Sequence, residues 1–240
     1  MAILQKTIHT IDTIETIYYK QDMWRIDPRN FSDTIFRYRE IYFIRLPADS
    51  IVGVKGHWYM YVNDKLNVIY EDIYDGNRLI RKNNRDSTAL IYDLIKYPEF
   101  KRNPFWGHNT PYGIQYQIKY ILDNTDSYSI DRLNDTILFD NSCFEISIIL
   151  KDKITMPGFA TRLEDSKGSI SRTLYFIDKK TYFPLRIKGE SFTTESPDQK
   201  IFIDQKYYDI EFNPEFDEKV QFNTSEESLT GFDLKEMKPQ

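Results

Sequence analysis

The stretch that decides the fold runs from Arg172 to Phe212, RTLYFIDKKTYFPLRIKGESFTTESPDQKIFIDQKYYDIEF. Thr173-Leu174-Tyr175-Phe176-Ile177 leads into Asp178-Lys179-Lys180-Thr181, and the apolar pattern resumes at Phe183, Leu185 and Ile187 with the period-two alternation of a hairpin. The second strand continues to Thr193 and breaks at Glu195-Ser196-Pro197-Asp198. It returns as 200–212, where Tyr208, Ile210 and Phe212 share a face. A meander this long has to cover its apolar face, and the rest of the chain should supply the cover.

Working outward, Ile3, Leu4, Ile8, Ile11 and Ile14 recur at helical spacing and predict an amphipathic helix over 2–17. Strand patterns follow at 16–24 and 33–46. In the second, Ile35, Arg37, Arg39, Ile41 and Phe43 alternate with Thr34, Phe36, Tyr38 and Tyr42, and Pro28 and Pro47 bound the runs. Further strands are expected at 51–54, 58–62, 65–74 and 78–82, joined by Asn63-Asp64 and Asp75-Gly76-Asn77 turns. Residues 87–97 read as a second helix, with Ser87 as N-cap, a stripe of Leu90, Ile91, Leu94 and Ile95, and Pro98 as the stop. After the loop Asn103-Pro104-Phe105-Trp106-Gly107, Thr110 and Pro111 open a third helix carrying Ile114, Ile118, Ile121 and Leu122. Strands resume at 128–133, 136–139 and 143–150.

The fold class expected is α+β, mainly β, as a single domain over 1–222. The polar stretch 223–240 reads as a tail or linker. Eighteen Tyr and 16 Phe among 240 residues suit broad sheet surfaces better than a helix bundle. The formal charge of −5 is spread without a basic block, so no nucleic-acid partner is expected. Cys143 stands alone in an apolar run and reads as a buried strand cysteine, since a redox role needs a second thiol. His9, His57 and His108 have no carboxylate or cysteine at ligand spacing, so no metal is expected. No nucleophile elbow, phosphate-cradling loop or dinucleotide fingerprint occurs, so no cofactor and no catalytic residue is assigned. No run approaches a membrane span. Met1-Ala2 leads straight into the first helix, as in a chain trimmed of its signal sequence or lipid anchor.

The order of helix, strands, Asp75-Gly76-Asn77 turn, helix pair, strands and long meander resembles the LolA-like lipoprotein-carrier fold. More narrowly, it is similar to the amino-terminal domain of thioredoxin-like (TlpA-type) lipoproteins of Bacteroidetes. The residues that carry this are Ile11, Ile14 and Ile17-Tyr18-Tyr19, Tyr74-Asp75-Gly76-Asn77, Asn103-Pro104-Phe105, Tyr175-Phe176-Ile177-Asp178 and Pro184-Leu185. Asp12-Thr13-Ile14, Asp33-Thr34-Ile35, Asp49-Ser50-Ile51 and Asp135-Thr136-Ile137 are similar to the O-glycosylation triplet of exported proteins of that phylum. The resemblance implies a curved antiparallel half-barrel, its concave face covered by helices around an apolar cavity for an acyl chain. It also implies a periplasmic or cell-envelope location and a thioredoxin-like module after the 223–240 linker. Phe36, Tyr38, Phe43, Trp58, Tyr59, Leu94, Phe105, Trp106 and Ile118 are then the candidate ligand-binding residues, with plain core packing as the alternative for each. The expected function is non-enzymatic: binding a lipid or other apolar ligand, or positioning the thiol-disulfide module. The rivals are an interaction scaffold without a cavity and a carboxylate-based hydrolase.

Overall fold

The computed structural model describes residues 1–26, 34–48, 53–61, 67–98, 100, 111–156 and 162–238. The expected Asn63-Asp64 turn, the Thr110 cap, the 103–107 loop and the Asp49-Ser50-Ile51 triplet lie outside the described residues.

Helix α1 (Ala2–Asp12) is followed by β1 (Thr16–Ile26), β2 (Thr34–Arg45), β3 (Val54–Tyr61), β4 (Val68–Tyr74), β5 (Arg78–Asn83) and β6 (Thr88–Asp93). Helix α2 (Pro111–Asp123) precedes β7 (Tyr128–Arg132), β8 (Thr136–Leu138), β9 (Asn141–Met156), β10 (Arg162–Asp178), β11 (Pro184–Thr193) and β12 (Ser196–Phe212). A single turn, α3 (Glu218–Gln221), and β13 (Asp233–Glu236) complete the order. The strands lie in the order β13-β6-β5-β4-β3-β2-β1-β12-β11-β10-β9-β7, with β8 beside β9, a path that does not close on itself. The strands β2 to β6 pair antiparallel, as do β7 to β12 with their neighbours among them, and β13 runs parallel to β6. This is the class read from the sequence: α+β and mainly β, on a sheet whose strand order stays open.

Contacts group the chain into two compact units. One comprises Met1–Thr13, Asp22–Phe36 and His108–Tyr208, the other Ile14–Gln21, Arg37–Gly107 and Asp209–Gln240. In the first, β9, β10 and β11 form the meander's centre and bury Ile146, Ile148, Tyr175, Ile177 and Phe183. Its first turn is held by Asp178, whose carboxylate accepts from the backbone N–H and hydroxyl of Thr181 at 2.8 and 2.7 Å. Helix α1 packs on this turn through Thr10, whose hydroxyl donates to the Thr181 carbonyl at 2.9 Å. Buried Gln115 of α2 donates to the Ile8 carbonyl at 3.0 Å, tying the two helices together where apolar side chains alone would leave their spacing free.

The second unit contains the β3-β4-β5-β6 meander, and three expectations change within it or at its border. The 87–97 helix is instead β6. Asp86 accepts from the N–H and hydroxyl of Thr88, Ser87 sits at φ +52°, and the chain turns into a strand that alternates Ala89 inward. The apolar residues taken as a helical stripe are thus split between a strand and the turn after it, where Asp93 accepts from the N–H groups of Ile95 and Lys96. The first helix stops at Asp12, because Thr13, Ile14, Thr16 and Ile17 are β-branched and suit the strand that starts at Thr16. The 223–240 stretch, which reads as a polar tail, contains β13 and places Leu229 against Ile80 and Ala89, with Ile91 and Phe232 around them.

Candidate functional site

Residues opposite one another in antiparallel strands share a sheet face, so the register separates the two faces of β2–β5. Phe43, Gly56, Tyr74 and Leu79 form one row on one face; Ile41, Trp58, Asp72 and Arg81 form the next; Arg39, Met60, Tyr70 and Asn83 form a third. The first row is the most apolar. Phe43 meets Trp58 edge-on at 5.1 Å between ring centroids and Tyr19 of β1 at 6.1 Å. Gly56 makes this packing possible: a Cβ there would come within 2.3 Å of the Trp58 ring and 2.8 Å of Phe43. Phe43 is fully buried, whereas Trp58 is only half-buried and presents aromatic surface on this face.

Charge enters this face beside the aromatic residues. Asp72 accepts a two-pronged guanidinium contact from Arg81, with both bonds at 2.9 Å. Burial works against the Arg81 charge, but the hydrogen bonds and attraction of Asp72 outweigh it and hold the guanidinium protonated more firmly than usual. Further along, Arg39 donates to the side-chain oxygen of Gln21 at 2.9 Å.

The opposite face is tyrosine-rich. Tyr18 and Tyr42 lie 4.7 Å apart, and Tyr42 meets Tyr59 edge-on at 6.1 Å. Burial, reinforced by the carboxylates of Glu40 and Glu71 respectively, pushes Tyr18 and Tyr59 each up to about 12, so both stay neutral phenols. Beside them is buried His57, with Nε2 2.8 Å from Glu71 and Nδ1 2.6 Å from the backbone carbonyl of Gln221. The side-chain Nε2 of Gln221 also lies 3.2 Å from Nδ1. Lys82 approaches the other Glu71 oxygen at 3.5 Å. The sequence reading gave His57 no carboxylate partner, and that is corrected here. Glu71 is 14 residues away, but one register step across β3 and β4 brings it alongside. Strand pairing supplied what linear spacing could not show.

The candidate ligand residues are distributed as follows. Phe43 and Trp58 touch on the apolar face. Tyr38 and Tyr59 lie on the tyrosine face by register, both half-buried. Leu94, 1% exposed, lies just past β6, its N–H donating to the Asn77 carbonyl at 3.0 Å. In the other unit, Ile118 is fully buried on α2, and exposed Phe36 stacks on Trp24 with their planes 4° apart. Phe105 and Trp106 lie outside the described residues. Cys143 is buried in β9, as expected, and burial pushes its thiol up to about 11. Among the described residues no three of His, Cys, Asp and Glu converge as a metal would require, and no helix is long and apolar enough to cross a membrane.

No family model matches the chain, and no curated protein matches it. Among solved structures, it is similar to the lipoprotein LppX of Mycobacterium tuberculosis, at 9% identity over 90% of this chain and 96% of that one, with a TM-score of 0.49. It is similar to LprF of Mycobacterium bovis, at 10% identity over 90% and 93%, with a TM-score of 0.48. A putative outer membrane lipoprotein-sorting protein domain from Vibrio parahaemolyticus aligns at 11% identity over 95% and 97%, with a TM-score of 0.37.

Proposed function

We propose that this chain is a non-enzymatic domain of the cell envelope that binds an apolar ligand, a lipid or acyl chain, on the face that carries Phe43 and Trp58. The observation that carries this reading is the aromatic floor itself. Gly56 gives up a side chain so that the Trp58 ring can pass over it and meet Phe43 edge-on, and the half-buried indole keeps apolar surface accessible beside fully buried neighbours. Flat aromatic surface within an otherwise apolar patch is what an acyl chain packs against, and nothing in such contact demands a catalytic group. Tyr38 and Tyr59, on the opposite face, are separate candidates, and Phe36, Leu94, Phe105, Trp106 and Ile118 remain candidates from the sequence reading alone. The finer placement, a periplasmic domain that positions a thioredoxin-like module, rests on the sequence resemblance and belongs to the same proposal.

The test is direct. Protein purified from cells is extracted with organic solvent, the extract is analysed by mass spectrometry, and the delipidated protein is titrated with radiolabelled acyl lipid. Co-purifying lipid and saturable rebinding, weakened by Trp58→Ala with the fold intact, are expected. A protein that carries no lipid and binds none overturns the reading. Fractionation of cells expressing the full-length protein checks the envelope location.

A further inference from the structure

Exposed large apolar side chains that stand singly are ordinary, but a group of them is not. Among the described residues Leu133, Ile137 and Phe139 lie close together, on β8 and the turns at its ends, and Ile137 is 76% exposed. The turn from β8 into β9 holds Phe139 at φ +49° and Asp140 at φ +62°, a conformation uncommon for a bulky side chain. It leaves Phe139 46% exposed, although the ring approaches Tyr208 to 6.2 Å. Cations gather beside this hairpin. The Arg132 guanidinium and the Lys179 ammonium lie 5.1 and 5.4 Å from the centre of the Phe144 ring. Tyr182 stands 5.9 Å from that ring, and Lys6 of α1 reaches the Tyr182 hydroxyl at 3.1 Å. The register sets Ile137 opposite Ser142, on the face of β9 that also carries Phe144. One carboxylate, Asp135, accepts from Lys179 at 2.6 Å and from Arg132 at 3.0 Å. Lys179 first, then Arg132, holds that carboxyl below the usual carboxylate range although it is open to water. Three cations against one carboxylate leave an excess of positive charge, on a chain whose formal charge is −5. Lys180 and Asp140, exposed in the neighbouring turns, offset each other, and Asp131 and Glu145 lie on the opposite face by register. All of these groups belong to the first compact unit.

We propose that this end of the first unit docks on the surface of an anionic lipid bilayer, with Lys6, Arg132 and Lys179 among the headgroups and Leu133, Ile137 and Phe139 set into the interface. The charge excess matches such a surface, and cations beside exposed apolar side chains are what an interface between headgroups and acyl chains holds. A protein partner fits less well, because a stable interface needs about 800 Å² from each side, more than three side chains on a hairpin supply. The proposal uses none of the residues of the face that carries Phe43 and Trp58 and goes beyond the ligand reading: it says by which surface the protein meets a membrane.

Flotation with intact vesicles tests it. Vesicles of phosphatidylcholine alone are compared with vesicles that contain about 30% phosphatidylglycerol, which gives the surface a negative potential. Tighter binding to the second kind is expected, by about tenfold, and its loss at about 0.5 M salt, where screening shortens the reach of charge. Lys6→Gln/Arg132→Gln/Lys179→Gln should abolish the preference, and Asp135→Asn, which releases two cations, should strengthen it. Ile137→Ser should weaken binding to the anionic vesicles. The same loss of charge at exposed lysines elsewhere, as Lys96→Gln/Lys200→Gln/Lys235→Gln, should cost far less, and thermal melting checks the fold of each variant. Equal binding of both vesicles, or of neither, overturns the proposal, and so does a control that loses as much as the first triple variant. A dimer that Ile137→Ser dissolves would assign the patch to a second copy of the chain and also overturns it. The acyl-lipid reading survives each of these failures, because it is tested on delipidated protein without vesicles.

Discussion

The indole of Trp58 occupies the space in which Gly56, two residues earlier on the same strand, would carry a side chain. Any substituent at Gly56 must therefore expel the ring or shift the strand. Gly56→Ala should destabilise the protein by about 1–3 kcal/mol, the range for overpacking a filled interior, and should change the tryptophan emission. Adding Trp58→Leu to Gly56→Ala should recover part of that loss. Denaturant midpoints of the two single variants and the double variant measure the coupling, and strict additivity would show that the two positions do not meet.

Asp72 and Arg81 hold each other in a fork on a face that is otherwise largely apolar. Replacing Asp72 by Asn leaves a guanidinium with half its partner, at a cost toward the lower end of the ~3–5 kcal/mol seen when one member of a buried pair is removed, because the Arg81 side chain retains 30% exposure. The double replacement Asp72→Leu/Arg81→Leu should cost less than Asp72→Asn alone. Urea denaturation of both variants decides.

Glu71 gives the protein an acid limit. Burial tends to raise its carboxyl, but the hydrogen bond with His57 and the nearby Lys82 ammonium together hold it below the usual carboxylate range. A carboxyl with a lowered folded-state value binds fewer protons folded than unfolded. Its contribution is complete above the ordinary value of roughly 4.3 and is lost as pH falls through the lower folded value. Thermal midpoints followed from about pH 6 downward should show a steeper acid decline for the natural protein than for Glu71→Gln. Parallel declines would remove Glu71 from the account.

Cys143 should be inert. Its thiol is buried and pushed up to about 11, so almost no thiolate exists near neutral pH. Ellman's reagent should react with the unfolded protein but scarcely with the native one, and a rapid native reaction would contradict the burial of β9.

Leu229 anchors the segment after α3 by filling the space beside Ile80 and Ala89. Leu229→Ala should cost about 2–4 kcal/mol locally. Hydrogen exchange should accelerate at the N–H groups of Asp233 and Met237, which donate to the Ser87 and Ile91 carbonyls. Unchanged exchange would mean that β13 is held without this anchor.

The long meander was legible because its signals are local. Alternation and the Asp178 turn lie within one continuous stretch, and β10, β11 and β12 cover it, although β10 begins at Arg162, within what reads as a polar link, and β12 begins at Ser196, inside the expected break. The opening of α2 at Pro111 was legible for the same reason. The 87–97 stretch misled because Leu90, Ile91, Leu94 and Ile95 satisfy helical spacing by count, while the decisive feature is the Asp86 turn that bonds Thr88, a two-residue effect that periodicity does not weigh. The candidate set Phe36, Tyr38, Phe43, Trp58 and Tyr59 named aromatic strand residues without their register, which divides Phe43 and Trp58 from Tyr38 and Tyr59 across the sheet. His57 with Glu71, and Gln21 with Arg39, were invisible for a related reason. Each pair joins different strands, and only hydrogen-bonded pairing reveals that its members are neighbours.

Strand β13 runs alongside β6 in parallel, exposed along its whole length and bearing Asp233, Lys235 and Glu236. It is a charged hem sewn onto the end of the sheet. Without it, β6 would offer a bare ladder of N–H and C=O groups beside Ile91 and Tyr92, a template on which other chains can grow fibrils. Trimming the segment from residue 224 onward should therefore turn a well-behaved protein into one that clumps as it folds, even if every strand before it still forms.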